Sequence, residues 1–312
     1  MIFSADLDAK LDGSVVRIAQ HIDTGGIPLL PMTRIEGYKF NPELLKLKEY
    51  ILLDYSELYW NSENEDTHLF GKNTHEFPEQ FPGDEWKRFE DFVRTNPPKI
   101  YFKRELKKKD VGGNIYPIDY PCWTAPYPVQ TKQEFDNRVL EVFHFWGRSH
   151  EERVRFHSEV WANSSRNGAS VCDNIFSFND FIRWESNPKK WASFYMPHYC
   201  RINIEQILAI NGMAKLSVSL FGAGKKCFRT TGESPVNSVM VMQDSDLAYS
   251  YEWVHQYNCL KFPTTKIDMP LLDEFVKRDD LYEIYLLGIN NVDKYRINNY
   301  VNNYIQPIIQ KA

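Results

Sequence analysis

The sequence predicts an α/β fold built on parallel strands, and three observations lead to it. Short apolar runs alternate with segments of helical period along the second half of the chain. One such run, Lys215 to Phe221, enters a turn rich in glycine and lysine before a further helix. The chain has 312 residues and 43% hydrophobic content, enough for two globular domains. Strands that alternate with helices pair in parallel, because each crossover helix returns the chain to the end of the sheet at which the previous strand began.

In the first half of the chain, apolar runs of strand length lie between polar segments. A polar stretch at about 61–83 is too irregular for a long element, and a proline-dense stretch at 116–128 indicates the approach to a domain boundary. The predicted strands are Val15 to Ala19, Tyr50 to Asp54 and Lys99 to Lys103.

The second half shows the alternation of strand and helix more regularly. Ser149, with Glu152 three residues later, forms a capping box at the start of one helix, and Gly212 closes another. The predicted elements are strand Val139 to Trp146, helix His150 to Trp161, strand Ala169 to Cys172, helix Ile202 to Asn211, strand Lys215 to Phe221, strand Val239 to Met242, helix Tyr249 to Gln256 and strand Cys259 to Phe262.

These elements divide the chain into three parts. Residues 1–138 form an N-terminal domain and residues 139–290 a C-terminal domain. Residues 291–312 form a C-terminal segment whose apolar residues, from Tyr295 to Ile309, lie near helical spacing. We therefore expect a final helix that crosses back to the first domain.

Composition excludes several classes of function. The net charge of −5 provides no basic surface for nucleic acid. No run of about 18 apolar residues predicts a membrane span, and the N-terminus lacks the pattern of a signal peptide. Five widely spaced cysteines indicate reduced thiols. These features predict a soluble, cytoplasmic protein; its oligomeric state is left open.

The turn after Lys215 to Phe221 has the features of an anion site. Gly222 and Gly224 let the backbone approach phosphate oxygens, while Lys225, Lys226 and Arg229 add positive charge at the start of a helix. The sequence therefore favours a phosphorylated ligand. A tight strand-to-helix turn with solvated lysines explains the same residues and remains an alternative.

The turn matches neither of the two common phosphate-binding motifs. A Walker A loop requires Ser or Thr where this chain has Lys226, and glycine where it has Ser219. The dinucleotide fingerprint requires a third glycine where this chain has Cys227. The turn is therefore an example of neither motif.

Several of these residues together resemble the C-terminal half of exostosin-like GT-B glycosyltransferases, in the compact form that large algal viruses (chloroviruses) encode. The similarity runs in order from Phe145 to Phe262 and is looser in the N-terminal half. The residues that carry it are Phe145-Trp146-Gly147-Arg148, Ser217 to Phe221, Gly222 to Arg229, Glu233, Trp253 and Asn258-Cys259-Leu260.

The resemblance implies a GT-B architecture, two Rossmann-like domains facing across a cleft, with a nucleotide sugar held mainly by the C-terminal domain. If the chain is viral, the cytosolic location expected from its composition is the host cytosol. Glu233 lies four residues after Arg229 where the family pattern has three, which leaves its ribose role open. The residues expected to bind the donor, from the turn and the resemblance together, are Arg148, Ser149, Gly222, Gly224, Lys225, Lys226, Arg229, Glu233 and Ser234.

A glycosyl transfer with inversion also needs a base on the acceptor side. Ligands in open α/β sheets bind outside the carboxyl ends of strands, which favours Asp54, Glu57, His21 and Asp23 as bases. Asp54 as a helix cap and His21 as a core histidine are structural alternatives. The segment that contains His68, Lys72 and Asn73 is expected on the acceptor side.

We therefore expect an inverting glycosyltransferase that takes a nucleotide sugar, with UDP-xylose a first donor to try, and a glycan acceptor. No cofactor is expected, because cations and helix amides at the turn can stabilise the diphosphate. Two alternatives remain open. Asp244 and Asp246 could hold Mn²⁺ or Mg²⁺ as an Asp-x-Asp motif, and the Trp and Tyr side chains could serve a non-catalytic carbohydrate-binding protein.

Overall fold

The computed structural model divides the chain into two compact units. It describes residue 2 and residues 13–32, 39–56, 84–123, 128–146, 151–162, 168–171, 191–195, 209–220, 226, 237–263 and 267–312. The first unit contains Met1–Pro121, Asp246–Glu252 and Ile297–Ala312, and the second contains Cys122–Ser245 and Trp253–Arg296. In the described part of the chain, no helix is both long and apolar enough to span a membrane.

In the residues that the structure describes, each unit contains one parallel sheet with helices. The strands are β1 (Leu29–Met32), β2 (Ile51–Asp54), β3 (Ile100–Lys103), β4 (Ile115–Pro117), β5 (Leu140–Trp146), β6 (Gly168–Val171), β7 (Trp191–Tyr195), β8 (Ala214–Ser219), β9 (Val239–Gln243) and β10 (Leu260–Phe262). The helices are α1 (Gly13–His21), α2 (Asp84–Thr95), α3 (Lys132–Asp136), α4 (Glu151–Ala162), α5 (Met269–Val276), α6 (Leu281–Tyr295), α7 (Ile297–Tyr300) and α8 (Gln306–Lys311). Shorter helical turns cover Pro42–Lys46, Lys108–Asp110 and Val301–Ile305.

The sheet of the first unit has the strand order β1-β2-β3-β4, and every pair is parallel. Every residue of β1, β2 and β3 is buried, so both faces of these strands are covered. Continuous apolar runs are the usual sequence of such strands, which is why β2 and β3 were predictable. Both predictions are confirmed.

The strand predicted at Val15 to Ala19 is wrong, because these residues belong to α1. Val15, Ile18 and Ala19 are buried along one side of the helix, at the spacing of three and four that a helix requires. The run is too short to show whether its period is two or 3.6 residues. The strand that follows, β1, was not predicted.

The described part of the second unit forms a sheet of six parallel strands in the order β10-β9-β8-β5-β7-β6. The predicted strands are confirmed for β5, β6, β8, β9 and β10, and the helix predicted at His150 to Trp161 is confirmed as α4. The strand β7 was not predicted. Of the helix predicted at Ile202 to Asn211, the structure describes only residues 209–211, which are helical.

The helix predicted at Tyr249 to Gln256 is wrong, because backbone groups in this segment bond elsewhere. The Ser250 N–H donates to Asp119 Oδ2 at 2.6 Å, and the Val254 N–H donates to Asn258 Oδ1 at 2.7 Å. Gln256 has a φ of 61°, which a right-handed helix does not allow. Side chains outside the predicted helix, Asp119 far away in the sequence and Asn258 just after the segment, therefore accept hydrogen bonds from its backbone N–H groups.

The final helix predicted from Tyr295 to Ile309 corresponds to consecutive helical residues from Ile297 to Lys311. Arg296 has an extended ψ of 135° and ends α6, after which α7 begins. The residues from Ile297 onward belong to the first unit. There, the Tyr300 hydroxyl accepts from the Asp119 N–H at 2.8 Å, and the Tyr304 hydroxyl donates to the Pro117 carbonyl at 2.8 Å.

Candidate functional site

The six-stranded sheet changes the direction of its strand order at β5. This strand pairs with β7 on one side and with β8 on the other, and all three are parallel. Such a switch point is where open α/β sheets bind ligands, outside the carboxyl ends of the strands. Here those ends are Trp146 of β5 and Ser219 of β8, directly before the two predicted donor-binding stretches.

Arg153 lies at this switch point and was not among the residues selected from sequence. It belongs to the first turn of α4, the helix that follows β5, and its side chain is buried. Its Nη2 donates to the carbonyl oxygen of Leu220 at 3.1 Å, just beyond β8. Arg153 and the buried Phe156 are three residues apart, so an arginine on the apolar side of a predicted helix was the available signal.

Lys226 is the one predicted donor-binding residue that the structure describes. It is 2% exposed, so the alternative of a solvated lysine is wrong at this position. A lysine at this depth is normally paired or hydrogen-bonded. The other predicted donor-binding residues lie outside the described residues; they are Arg148, Ser149, Gly222, Gly224, Lys225, Arg229, Glu233 and Ser234.

Asp54 ends β2 at the carboxyl edge of the four-stranded sheet, as predicted, but its carboxylate is fully buried. Oδ2 lies 3.0 Å from Lys103 Nζ and accepts from the Tyr101 hydroxyl at 2.7 Å. Oδ1 accepts from the Ser56 N–H at 2.8 Å. Both oxygens are thus occupied by internal donors, which favours a structural role for Asp54 over that of a base.

The electrostatics of this cluster follow from its burial. Loss of hydration lowers the pKa of Lys103, although the charge of Asp54 acts in the opposite direction. Burial also raises the pKa of Tyr101 well above its ordinary value, and the nearby Asp54 carboxylate raises it further. Lys103 in addition donates to Ser56 Oγ at 3.0 Å. The four side chains form one internal hydrogen-bonded network, which we call the Asp54 cluster.

A second buried charged group lies beside the Asp54 cluster. Arg104 is paired with Glu105 at 3.3 Å, donates to the Tyr120 hydroxyl and lies over the ring of Tyr120. Its backbone N–H donates to the Asp54 carbonyl at 2.9 Å. Adjacent charges at the end of a strand, Lys103-Arg104-Glu105, were visible in the sequence. Their burial was not, because a run of charges is usually exposed.

His21 and Asp23 do not lie at the carboxyl end of a strand, so that prediction is wrong. They follow α1 and precede β1, which places them at the amino end of the strands, whereas Asp54 lies at the carboxyl end. His21 Nδ1 contacts the Arg17 carbonyl at 2.8 Å, and Asp23 Oδ1 accepts from the Gly25 N–H at 3.0 Å. Both side chains are exposed and form local contacts. The remaining predicted base and the acceptor-side residues, Glu57, His68, Lys72 and Asn73, lie outside the described residues.

The carboxylates of the Asp-x-Asp alternative each face a lysine. Asp244 lies 3.5 Å from Lys261 Nζ, and Asp246 lies 3.7 Å from Lys107 Nζ. Among the residues that the structure describes, no group of three or more His, Cys, Asp or Glu side chains is arranged to hold a metal ion.

Comparison with known proteins gives a likeness in structure only. No protein-family model matches the sequence, and neither does any curated protein. Anabaena Alr3699/HepE, solved in complex with UDP, superimposes with a TM-score of 0.50 at 10% identity, with the full length of both chains covered.

Two further solved structures are similar at a lower level. TarM has a TM-score of 0.49 at 12% identity, and the pneumococcal O-GlcNAc transferase GtfA, solved with UDP and GlcNAc, has 0.48 at 7%. Each match covers 95% of this chain, but only 57% of TarM and 59% of GtfA. The chain thus spans less than two thirds of the length of either protein. Together with the two parallel α/β units, the likeness to HepE shows that this chain has the GT-B fold, with two Rossmann-like units.

Proposed function

We propose that the chain is a glycosyltransferase that moves a sugar from a nucleotide sugar to a hydroxyl group of a glycan. One observation carries the proposal. The strands β5 and β8 meet at the switch point of a GT-B fold, and each leads directly into a stretch whose sequence is suited to a diphosphate. HepE, which has the same fold, was solved with UDP, so a UDP-sugar is the preferred donor.

The proposed donor site relies on cations and main-chain amides. Departure of a nucleoside diphosphate leaves negative charge that must be stabilised by a metal ion or by fixed positive groups. Arg148, Lys225 and Arg229 provide the second kind, together with the glycines of the turn. We therefore propose a transfer without an essential metal, and UDP-xylose as the first donor to test.

Glu57 is the proposed base for inversion at the sugar. In the sequence it comes three residues after Asp54, the last residue of β2. Of the other three candidates, Asp54 is enclosed by internal donors, while His21 and Asp23 lie at the amino edge. His68, Lys72 and Asn73 are proposed to contact the acceptor.

Calorimetric titration tests the donor assignment. The purified chain is titrated with UDP, GDP and CMP, once in EDTA and once with Mn²⁺. We expect saturable binding of UDP in EDTA. Binding that requires Mn²⁺ would instead favour the Asp244 and Asp246 alternative, and binding of none of the nucleotides would contradict the proposed function.

Two substitutions test the residue roles. Arg229→Ala is expected to weaken UDP binding by about tenfold or more, since it removes a charged hydrogen-bond donor from the diphosphate.

Glu57→Gln is expected to lower turnover by about a hundredfold or more with UDP affinity unchanged. Asp23→Asn is the matched acidic control, and it should retain both activity and binding. Full activity in Glu57→Gln would show that the base lies elsewhere.

A further inference from the structure

The strand β8 is held at each end by a buried arginine. At its amino end, Arg138 Nη1 donates to the Ala214 carbonyl at 2.6 Å. At its carboxyl end, Arg153 Nη2 donates to the Leu220 carbonyl at 3.1 Å. Each arginine therefore donates to a main-chain carbonyl at one end of β8, so the two bonds lie at opposite ends of the strand.

We propose that Arg153 is a positioning residue for the phosphate site. It connects the first turn of α4 to the residue at which the chain leaves β8, and thereby fixes the relative placement of the two chain exits at the switch point. The proposal rests on the proposed function, because it assumes that the phosphates of the donor bind at the carboxyl ends of β5 and β8.

Burial makes this hydrogen bond effective. Arg153 is 4% exposed, so water competes weakly for the Leu220 carbonyl. A hydrogen bond from a charged donor is worth more than one from a neutral donor, and more still where water is excluded. Leu220 directly follows the last residue of β8, so the bond from Arg153 holds the chain at the point where it leaves the strand.

Arg153 also links the two stretches that carry the predicted donor residues. It lies five residues after Arg148, while its partner Leu220 lies two residues before Gly222. Loss of the bond should therefore affect groups that meet phosphate and leave contacts to the nucleoside intact. Arg138 has no such connection, because Ala214 begins β8 at the far edge.

The test compares UDP with uridine in Arg153→Met and Arg138→Met, each measured by calorimetry well below its unfolding temperature. Methionine fills a similar space without a hydrogen-bond donor. We expect Arg153→Met to bind UDP about tenfold to a hundredfold more weakly, with uridine affinity unchanged. Arg138→Met should bind both ligands as the unmodified chain does, even if it loses as much stability.

Arg153→Lys is a second variant that retains a charged donor of similar reach. It should keep UDP affinity within about threefold of the unmodified chain. Equal loss of UDP and uridine affinity, or unchanged UDP affinity in Arg153→Met, would overturn the positioning role while leaving the proposed function in place. If neither variant folds, Arg153 is a core residue only and the proposal is again overturned. Failure of the unmodified chain to bind any nucleoside diphosphate would instead reject the proposed function itself.

Discussion

The carboxyl ends of the two sheets bury charge in different ways. At the four-stranded sheet, Asp54 and Lys103 pair with each other at 3.0 Å and fill their remaining bonds with Tyr101 and Ser56. At the six-stranded sheet, Arg153 donates to a main-chain carbonyl at the end of a strand. An ionisable residue at a strand end is thus not by itself a ligand site. What it contacts decides whether it holds the fold together or fixes the path of the chain.

The largest expected effect comes from breaking the Asp54 cluster. Asp54→Ala leaves Lys103 as a buried charge without its counterion, and leaves the Tyr101 hydroxyl without its acceptor. We expect the free energy of unfolding to fall by about 3–5 kcal/mol, as measured by urea denaturation. Asp23→Ala, an exposed aspartate of the same unit, should cost far less. Similar losses in both variants would contradict the structural role of Asp54.

Alkaline pH should destabilise the first unit next most strongly. Burial raises the pKa of Tyr101 and Tyr300 well above 10.0, so these tyrosines stay protonated in the folded chain while they ionise in the unfolded chain. Stability is therefore full below about pH 10 and falls above it, by about 1.4 kcal/mol per group for each pH unit. Lys103, with a lowered pKa, has the opposite sign, but its contribution is complete above its ordinary value of 10.5.

Thermal unfolding between pH 8 and pH 11, followed together with tyrosinate absorbance, measures this effect. Tyr300→Phe should reduce the slope above pH 10 by about one group. Tyr257, which is 56% exposed, is the matched control, and Tyr257→Phe should leave the slope unchanged. Ionisation of all tyrosines before unfolding would contradict the assignment.

In the second unit, the corresponding test is Arg138→Met. The Arg138 guanidinium lies 4.5 Å from the ring centre of Phe135 and 4.8 Å from that of Tyr285, and burial lowers its pKa to about 10. Part of its interaction is therefore offset by lost hydration. We expect a loss of about 1–3 kcal/mol in urea denaturation, smaller than that for Asp54→Ala. A loss of unfolding free energy larger than that of Asp54→Ala would contradict the expectation that the buried pair of the first unit contributes more.

The smallest effect on stability is expected from protonation of His255 at acidic pH, also in the second unit. Burial lowers its pKa, and the charges of Arg278 and Lys261 lower it further, while Asp244 acts in the opposite direction. The unfolded chain therefore binds the proton more readily, and stability falls slightly as the pH drops below about 6.5. Unfolding temperatures at pH 7 and pH 5.5 measure it. His255→Gln should reduce the difference, whereas His21→Gln, at an exposed position, should not.

The parallel sheets and much of their strand content were predictable, because buried strands require continuous apolar runs. The runs at Tyr50 to Asp54, Lys99 to Lys103 and Val239 to Met242 each became a strand. Prediction failed where apolar spacing was ambiguous, as at Val15 to Ala19. It failed again at Tyr249 to Gln256, where the side chains of Asp119 and Asn258, both outside the predicted helix, accept from backbone N–H groups.

The sequence alone determined which residue types follow the carboxyl ends of the strands, because a strand and the glycines or charged residues after it are consecutive in the chain. Only the tertiary structure decided which of those charges are enclosed. The pairing of Asp54 with Lys103 joins neighbouring strands, and the bond from Arg153 to Leu220 joins segments 67 residues apart. Such contacts depend on strand order and on the exclusion of water, and neither property is encoded in the spacing of residues along the chain.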